Sequence, residues 1–263
     1  MNSKKENENT NKSKGHEGHS FLVPFPLDKI NENIIIRTKN LDTLSKEKII
    51  NQAFKLHSEG EFKEAAKLYQ DFIDQGFSDP IVFSNYGAIC QESGQVDKAI
   101  ELYNKSISLF PDSPNSHSNL GIIFKDLDKL EEAEICMRKA IELKPDFFQA
   151  YLNLGIILAE LGKFEDAEFA QRKAVELNPK HAISHYNLGK TLRELGKLKE
   201  AQLSNQEAIK INPNFAKAYL NLGTIARHLG KLEQAEILIN KAIQIKNDYT
   251  NAKVSLINLL TVH

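Results

Sequence analysis

The sequence predicts an all-α solenoid of six 34-residue helix–turn–helix repeats followed by a C-terminal capping helix. Two periodic patterns support this fold class. A four-residue string recurs every 34 residues, as SNYG at 84–87, SNLG at 118–121, LNLG at 152–155, YNLG at 186–189 and LNLG at 220–223. Downstream of each string an alanine and, in most cases, a proline recur on the same step: Ala99, Ala133, Ala167, Ala201 and Ala235, and Pro111, Pro145, Pro179 and Pro213. A fixed period of this length indicates stacked repeats that bury their apolar surfaces against one another.

The recurring prolines set the register of the repeats. Placing each proline at position 32 of its unit gives six consecutive units without an insertion, at 46–79, 80–113, 114–147, 148–181, 182–215 and 216–249. We number these units 1 to 6 and count positions within them. Residues 250–263 correspond to a first helix without a second one, and we expect them to cap the array.

Each unit has the pattern of two helices. Positions 4, 7, 8 and 11 are mostly apolar or small, which is a stripe with the 3.6-residue period of a helix. Position 15 is glycine in five units and Asp128 in unit 3, and both residue types tolerate the left-handed backbone that ends a helix. A second helix is predicted from about position 17 to the proline. Position 8 is glycine or alanine and position 20 is alanine in all six units, so the two helices can approach closely.

This pattern resembles the tetratricopeptide repeat from residue 46 to the end of the chain. It departs from that family at position 4, where the family has tryptophan and this chain has Ile49, Phe83, His117, Tyr151, His185 and Tyr219. It also lacks the proline at Phe77 and Asn247. The resemblance implies a right-handed superhelix whose first helices line a concave face. His117 and His185 are interpreted as core residues.

Composition excludes several classes of partner. Lysine plus arginine (34) nearly balance aspartate plus glutamate (35), so there is no overall basic field for a nucleic acid or an anionic membrane. No stretch approaches the length of a membrane span, and the polar start is not a secretory signal. Two cysteines are too few for a disulfide framework. We therefore expect a cytoplasmic protein that binds no nucleic acid and does not insert into a membrane.

Catalytic motifs are missing from the sequence. It contains no phosphate-binding loop, nucleophile elbow or metalloprotease helix. His16 and His19 form the one metal-like string, and they lack the further ligands that a zinc site needs. We expect a protein that is not an enzyme and that has no cofactor or metal.

Position 6 is asparagine in every unit. At 100° per residue, position 6 points about 150° away from the apolar stripe, so this column is expected on the open face of the first helices. An amide carries a donor and an acceptor, and it can therefore hold the N–H and C=O of another chain whatever that chain's sequence. The predicted peptide-binding residues are Asn51, Asn85, Asn119, Asn153, Asn187 and Asn221. The alternative is that duplication copied the asparagines without a function.

The asparagine column resembles the one in the repeat domain of O-linked N-acetylglucosamine transferases, where it holds the substrate backbone. The acidic residues that accompany it there at position 2 are reduced here to Glu47, and the glycosyltransferase domain is missing. We therefore expect a non-catalytic protein-interaction scaffold that binds an extended peptide segment in the concave groove. The alternative function is an accessory or substrate-targeting subunit of a separate glycosyl- or sulfotransferase.

Charged residues on the same helices suggest the character of a ligand. Position 13 carries an acidic row of Glu92, Asp126, Glu160 and Glu194. Units 5 and 6 carry a basic cluster, expected to contact an acidic ligand, of Lys190, Arg193, Lys217 and Arg227. The groove is therefore predicted to be more basic toward its C-terminal end. The sequence does not identify the partner or the oligomeric state.

Residues 1–45 are predicted to be a tail that precedes the solenoid. The first twenty residues are polar and should be disordered. Two apolar segments follow, Phe21–Leu27 and Ile34–Ile36, and a solvated tail does not need them. They either cover the apolar edge of unit 1 or occupy the groove.

Overall fold

The computed structural model describes residues 41–261 as a stack of helical pairs. The thirteen helices of this part of the chain are α1 (Leu41–Ser58), α2 (Phe62–Asp74), α3 (Pro80–Glu92), α4 (Val96–Leu109), α5 (Pro114–Asp126), α6 (Leu130–Leu143), α7 (Phe148–Glu160), α8 (Phe164–Leu177), α9 (Ala182–Glu194), α10 (Leu198–Ile211), α11 (Ala216–His228), α12 (Leu232–Ile245) and α13 (Thr250–Leu260). The described residues contain no strand. The predicted all-α solenoid of paired helices is confirmed.

The helix boundaries follow the repeat, with one difference at the start. Helix α1 begins at Leu41, ahead of the unit boundary at 46, because the proline register fixes the repeat and not the start of the first helix. Helix α13 packs on α12, and its Ile257, at the position where the units have a small residue, is 59% exposed. The predicted tail disorder, the two apolar segments and His16 and His19 lie outside the described residues.

Each pair is joined by a tight left-handed turn at position 15. The glycines there have φ between +72° and +82°, at Gly60, Gly94, Gly162, Gly196 and Gly230. Asp128 replaces glycine in unit 3 with φ of +62°, and it is the one non-glycine residue with positive φ among those described. The prediction for this turn is confirmed, including its exception.

The two helices of a unit touch through position 8 of the first and position 24 of the second. Position 8 is glycine in five units, at Gly87, Gly121, Gly155, Gly189 and Gly223. A Cβ atom placed on any of them would lie between 2.2 and 3.0 Å from the side chain at position 24 of the same unit. The alanine at position 20 is fully buried in every unit. Small residues at these positions therefore allow the close approach, as predicted.

The two position-4 histidines connect neighbouring units. His185 is buried and its Nε2 lies 2.8 Å from the carbonyl oxygen of Pro179, in the last turn of the preceding unit. His117 is half-buried and its Nε2 lies 3.2 Å from the carbonyl oxygen of Pro111. Both rings are hydrogen-bonded within the packed stack, which agrees with their interpretation as core residues.

The array curves toward its first helices. Each first helix from α3 to α13 contacts the next first helix, whereas successive second helices do not pack against one another to that extent. We call the surface formed by the first helices the inner face. No helix within residues 41–261 is both long and apolar enough to cross a bilayer.

Ion pairs join the second helices of units 3, 4 and 5. Glu134 accepts from Arg138 of its own helix at 2.8 Å and from Lys163 of the next unit at 2.7 Å. Glu168 repeats the arrangement with Arg172 at 2.8 Å and Lys197 at 2.7 Å. Partial burial raises the pKa of both carboxyls, but the hydrogen bonds from these cations outweigh it and leave each pKa below its ordinary value of 4.5.

The contact at position 8 predicts the effect of a larger side chain. We expect Gly155→Val to lower the free energy of unfolding by about 1–3 kcal/mol, because its Cβ would lie 2.5 Å from Cγ of Gln171. Urea unfolding measures the change. Ala159→Val is the matched control, since it places the same β-branched residue at a half-buried site of the same helix. Equal losses in the two variants would contradict the account.

The ion pairs between units predict a pH dependence. A lowered carboxyl pKa contributes stability above the ordinary value of 4.5, and this stability is lost as the pH falls through the folded-state pKa. The double variant Glu134→Gln/Glu168→Gln should therefore lose less stability than the wild type between about pH 5 and pH 3. The midpoints of urea unfolding, determined across this pH range for both proteins, measure the loss of stability. Glu207→Gln is the control, because Glu207 pairs with Lys210 within one helix at 3.1 Å.

Candidate functional site: the inner face of units 4 to 6

The six asparagines at position 6 do not form an open column. Four of them are at most 4% exposed: Asn85, Asn119, Asn153 and Asn221. Asn187 is half-buried and Asn51 is exposed. The expectation that all six face solvent is therefore wrong. A single-helix projection leaves out the second helix of the preceding unit, which packs against this side of each first helix.

Three of the buried asparagines pack against position 24 of the preceding unit. Asn85 Nδ2 donates to the Tyr69 hydroxyl at 3.5 Å, and Asn221 Nδ2 donates to Oδ1 of Asn205 at 3.0 Å. Arg193 donates to Oδ1 of Asn221, so that amide is bonded on both sides. Asn119 lies beside the Tyr103 hydroxyl: burial raises the pKa of Tyr103 and this amide partly lowers it. These amides link one unit to the next.

In units 4 and 5 the asparagine lacks a hydrogen bond to the side chain at position 24. Neither polar atom of the Asn153 amide has a hydrogen-bond partner among the described residues, and the same holds for Nδ2 of Asn187. The reason lies at position 24 of the preceding units. The repeat places Met137 beside Asn153, and a thioether is a weak acceptor. It places Gln171 beside Asn187, and the Gln171 amide donates instead to the Gly155 carbonyl at 3.1 Å.

A cavity of about 300 Å³ opens on the inner face beside Asn187. Helices α7, α8 and α9 form its walls. Its polar and charged lining consists of Glu160, Gln171, Tyr186, Asn187, Lys190, Thr191 and Glu194. The apolar lining comes from Ile156, Ala159 and Phe164. The cavity therefore combines an apolar wall with both signs of charge.

A second cavity of about 140 Å³ adjoins the first toward the C-terminus. Three cationic side chains line it, Lys190, Arg193 and Lys217, and no carboxylate does. Tyr186 and Lys190 line both cavities, so the two form one groove across units 4 to 6. An anionic group is the ligand that this end of the groove favours electrostatically.

Three of the four residues in the basic cluster predicted from the sequence therefore lie together. Lys190, Arg193 and Lys217 share the second cavity, whereas Arg227 does not line it. Sequence reasoning missed several lining residues: Thr224 on α11, Tyr249 just before α13, and Asn251 and Ser255 on α13.

The residue type at position 9 indicates where the groove lies. It holds the buried apolar residues Phe54, Ala88, Ile122 and Ile156 in units 1 to 4, and it changes to Lys190 and Thr224 in units 5 and 6. Asn251 and Ser255 continue the columns of positions 2 and 6 into α13. Polar residues at these columns mark the part of the inner face where the groove is open.

The described residues hold no cluster of three or more histidine, cysteine or carboxylate side chains that could bind a metal ion. Cys90 and Cys136 are buried free thiols. Burial raises the pKa of Cys136 to about 11, so this side chain is a neutral thiol at physiological pH.

The stack of helical pairs defines a helical repeat protein, and comparison with known proteins gives its family. A family model of the tetratricopeptide repeat matches residues 80–146 and 146–214, and a second one matches 205–237. This chain belongs to the tetratricopeptide repeat family. No curated protein matches the sequence significantly.

Solved structures share the fold at low sequence identity. YrrB, described as a TPR protein with an unusual peptide-binding site, is 23% identical with a TM-score of 0.64, over 72% of this chain and 98% of that chain. MamA from Desulfovibrio magneticus RS-1 is 19% identical with a TM-score of 0.60, over 65% and 97%. A chain of the APC/C hetero-tetramer Cut9–Hcn1 is 16% identical with a TM-score of 0.67, over 82% and 43%.

The division of the asparagines predicts different effects of the same substitution on stability. Asn221→Ala should lower the free energy of unfolding by about 1–3 kcal/mol, because it leaves buried Asn205 without its donor. Asn153→Ala should leave stability unchanged or slightly raised, since its buried amide has no partner. Urea unfolding of the two variants checks this. Equal destabilisation by both would contradict the division.

Proposed function

We propose that this chain is a non-catalytic scaffold that binds an extended polypeptide segment along the inner face of units 4 to 6. The observation that carries the proposal is the groove formed by two adjoining cavities, which runs across successive first helices. YrrB, which shares the fold, is described as having a peptide-binding site, and this supports the same use of a repeat groove here.

The length of the groove sets the length of the segment. It runs from α7 over α9 and α11 to α13. Neighbouring helices lie roughly 10 Å apart and an extended chain rises about 3.3 Å per residue, so about nine residues span it. A segment of this length orders on binding, and micromolar affinity is the expected result.

The main chain of the ligand is held by Asn187 in this proposal. Asn187 is half-buried and lines the first cavity. Its amide Nδ2 has no partner among the described residues, so a contact to a peptide group would not have to break an existing bond of that atom. The other five asparagines of the column, Asn51, Asn85, Asn119, Asn153 and Asn221, are not assigned a ligand contact.

The side-chain preference comes from the cationic end of the groove. Lys190 is exposed at the junction of the two cavities and Lys217 continues the positive surface, whereas Arg193 is paired with Glu194 at 2.5 Å. A carboxylate or another anionic side chain of the ligand is favoured beside the two lysines. Glu160 in the first cavity opposes a second anionic group, which fixes the direction of an acidic segment.

The test uses a phage-displayed library of random peptides of about 12 residues, slightly longer than the span of the groove. The library is selected on the full chain, and the same selection is run on the Lys190→Glu variant. The wild type should enrich peptides with aspartate or glutamate and the variant should not. A synthetic peptide from the selection is then measured by fluorescence anisotropy.

Asn187→Ala should bind this peptide roughly fivefold more weakly, the size expected for one lost hydrogen bond. Asn240→Ala, at an exposed asparagine of α12, is the matched control and should bind as the wild type does. Equal binding by Asn187→Ala would contradict the assigned contact. Selection of the same peptides by Lys190→Glu would contradict the location.

A further inference from the structure

An apolar row lies on the second helices, away from the groove. Four large side chains at position 22 are between 64% and 69% exposed, Ile135 on α6, Phe169 on α8, Leu203 on α10 and Ile237 on α12. Units 1 and 2 have Lys67 and Glu101 at this position. The row is therefore confined to units 3 to 6. Large exposed apolar side chains at one position of four successive units indicate an interaction surface.

Opposite charges flank position 22 in every unit, at positions 18 and 26. The pairs are Lys63 and Asp71, Asp97 and Lys105, Glu131 and Lys139, Glu165 and Lys173, Lys199 and Glu207, and Glu233 and Lys241. All twelve side chains are exposed or half-buried. Eight residues of helix span about 12 Å, so the two charges of a pair are too far apart to bond each other.

The helix dipole explains only part of this pattern. It favours an acidic residue at position 18, near the start of the second helix, and a basic residue further on. In unit 5 the order is reversed, with Lys199 first and Glu207 second. Unit 1 is also reversed, but it has Lys67 at position 22 and lies outside the apolar row. Glu207 also pairs with Lys210 of its own helix at 3.1 Å, and this pair does not involve position 18. A contact between position 18 of one copy and position 26 of another accounts for the joint reversal in unit 5.

We propose that this surface is a homodimer interface, in which two copies face each other across a two-fold axis that runs along the apolar row. This symmetry keeps units in register and places their second helices antiparallel. The apolar side chains at the centre of the row, Phe169 and Leu203, then meet their counterparts in the partner. Position 18 of each unit lies opposite position 26 of the same unit in the other copy, so all the flanking charges are complementary.

A two-fold axis perpendicular to the apolar row does not fit the charges at positions 18 and 26. A two-fold axis across the row would place the second helices parallel, and position 18 of one copy would face position 18 of the other. In the central units this arrangement brings Glu165 opposite Lys199 but leaves the outer pair, Glu131 and Glu233, facing each other. Like charges opposite one another weaken an interface. Only the axis along the row makes every unit self-complementary.

The curvature of the array limits the contact to the middle of the row. Because the stack curves toward the inner face, two such surfaces separate toward their ends, and Phe169 and Leu203 lie at the centre. Lys67 and Glu101, which would meet like charges, lie outside the contact. The row exposes about 100 Å² per side chain, so about 400 Å² of apolar surface per copy is available, below the roughly 800 Å² of a standard interface. A weak, concentration-dependent dimer is expected.

An unrelated partner or a bilayer would also cover the apolar row. Neither of them requires the charges at positions 18 and 26 to reverse together, because neither repeats the sequence of this chain on its own surface. Self-association is therefore the occupant that the charge pattern favours.

Sedimentation velocity of the full chain up to about 100 µM tests the proposal, because this range covers the weak dissociation constants expected for so small an interface. The wild type should show a concentration-dependent dimer. Phe169→Glu should be monomeric at every concentration, with an unchanged circular dichroism spectrum. A wild-type chain that stays monomeric throughout would overturn the proposal and leave the row to another occupant.

Charge reversal tests the symmetry. Lys199→Glu places a carboxylate opposite the partner's Glu207, and Glu207→Lys places a cation opposite the partner's Lys199, so each should weaken dimerisation by about tenfold. The double variant Lys199→Glu/Glu207→Lys should restore it. Lys180→Glu, in the exposed turn before α9, is the control for the charge change and should have no effect. A double variant as weak as the single ones would overturn the proposed axis.

Discussion

The architecture depends on one contact, the side chain at position 24 between two first helices. Within a unit, the side chain at position 24 fills the space above the glycine at position 8. That position therefore has no room for a Cβ atom. Across the unit boundary it meets the asparagine at position 6, as Tyr69 meets Asn85 and Asn205 meets Asn221. A single side chain thus fixes the separation of the two helices and the join to the next unit, and repeating this contact builds the stack.

The same contact determines which asparagines are bonded between units. Where position 24 offers a hydrogen bond, the facing asparagine is used in the join between units. Where it is Met137, Asn153 stays buried with unpartnered amide atoms. Where it is Gln171, turned to the Gly155 carbonyl, Asn187 keeps an unpartnered Nδ2 and lines the first cavity. The groove opens where the inner residues change from apolar to polar, and Lys190, Arg193 and Lys217 give this end its positive charge. Binding and stability are therefore assigned to different members of one column.

Much of the fold was predictable because it depends on local periodicity. The left-handed residue Asp128, the small residues at position 8 and the bonded histidines at position 4 follow from the pattern within one unit. The burial of the asparagines was not predictable in this way, because it depends on a helix of the preceding unit that a single-helix projection omits. The grouping of Lys190, Arg193 and Lys217 without Arg227 likewise depends on how α9, α11 and α13 are placed in space.

The most direct test of peptide binding at this face is a ¹⁵N spectrum of the asparagine side-chain amides, recorded during titration with an acidic peptide selected on the chain. The account predicts a shift for Asn187, which lines the first cavity, and no comparable shift for Asn85, whose amide is bonded to Tyr69. Shifts confined to Asn240 on the outer helix α12, with that of Asn187 unchanged, would contradict it.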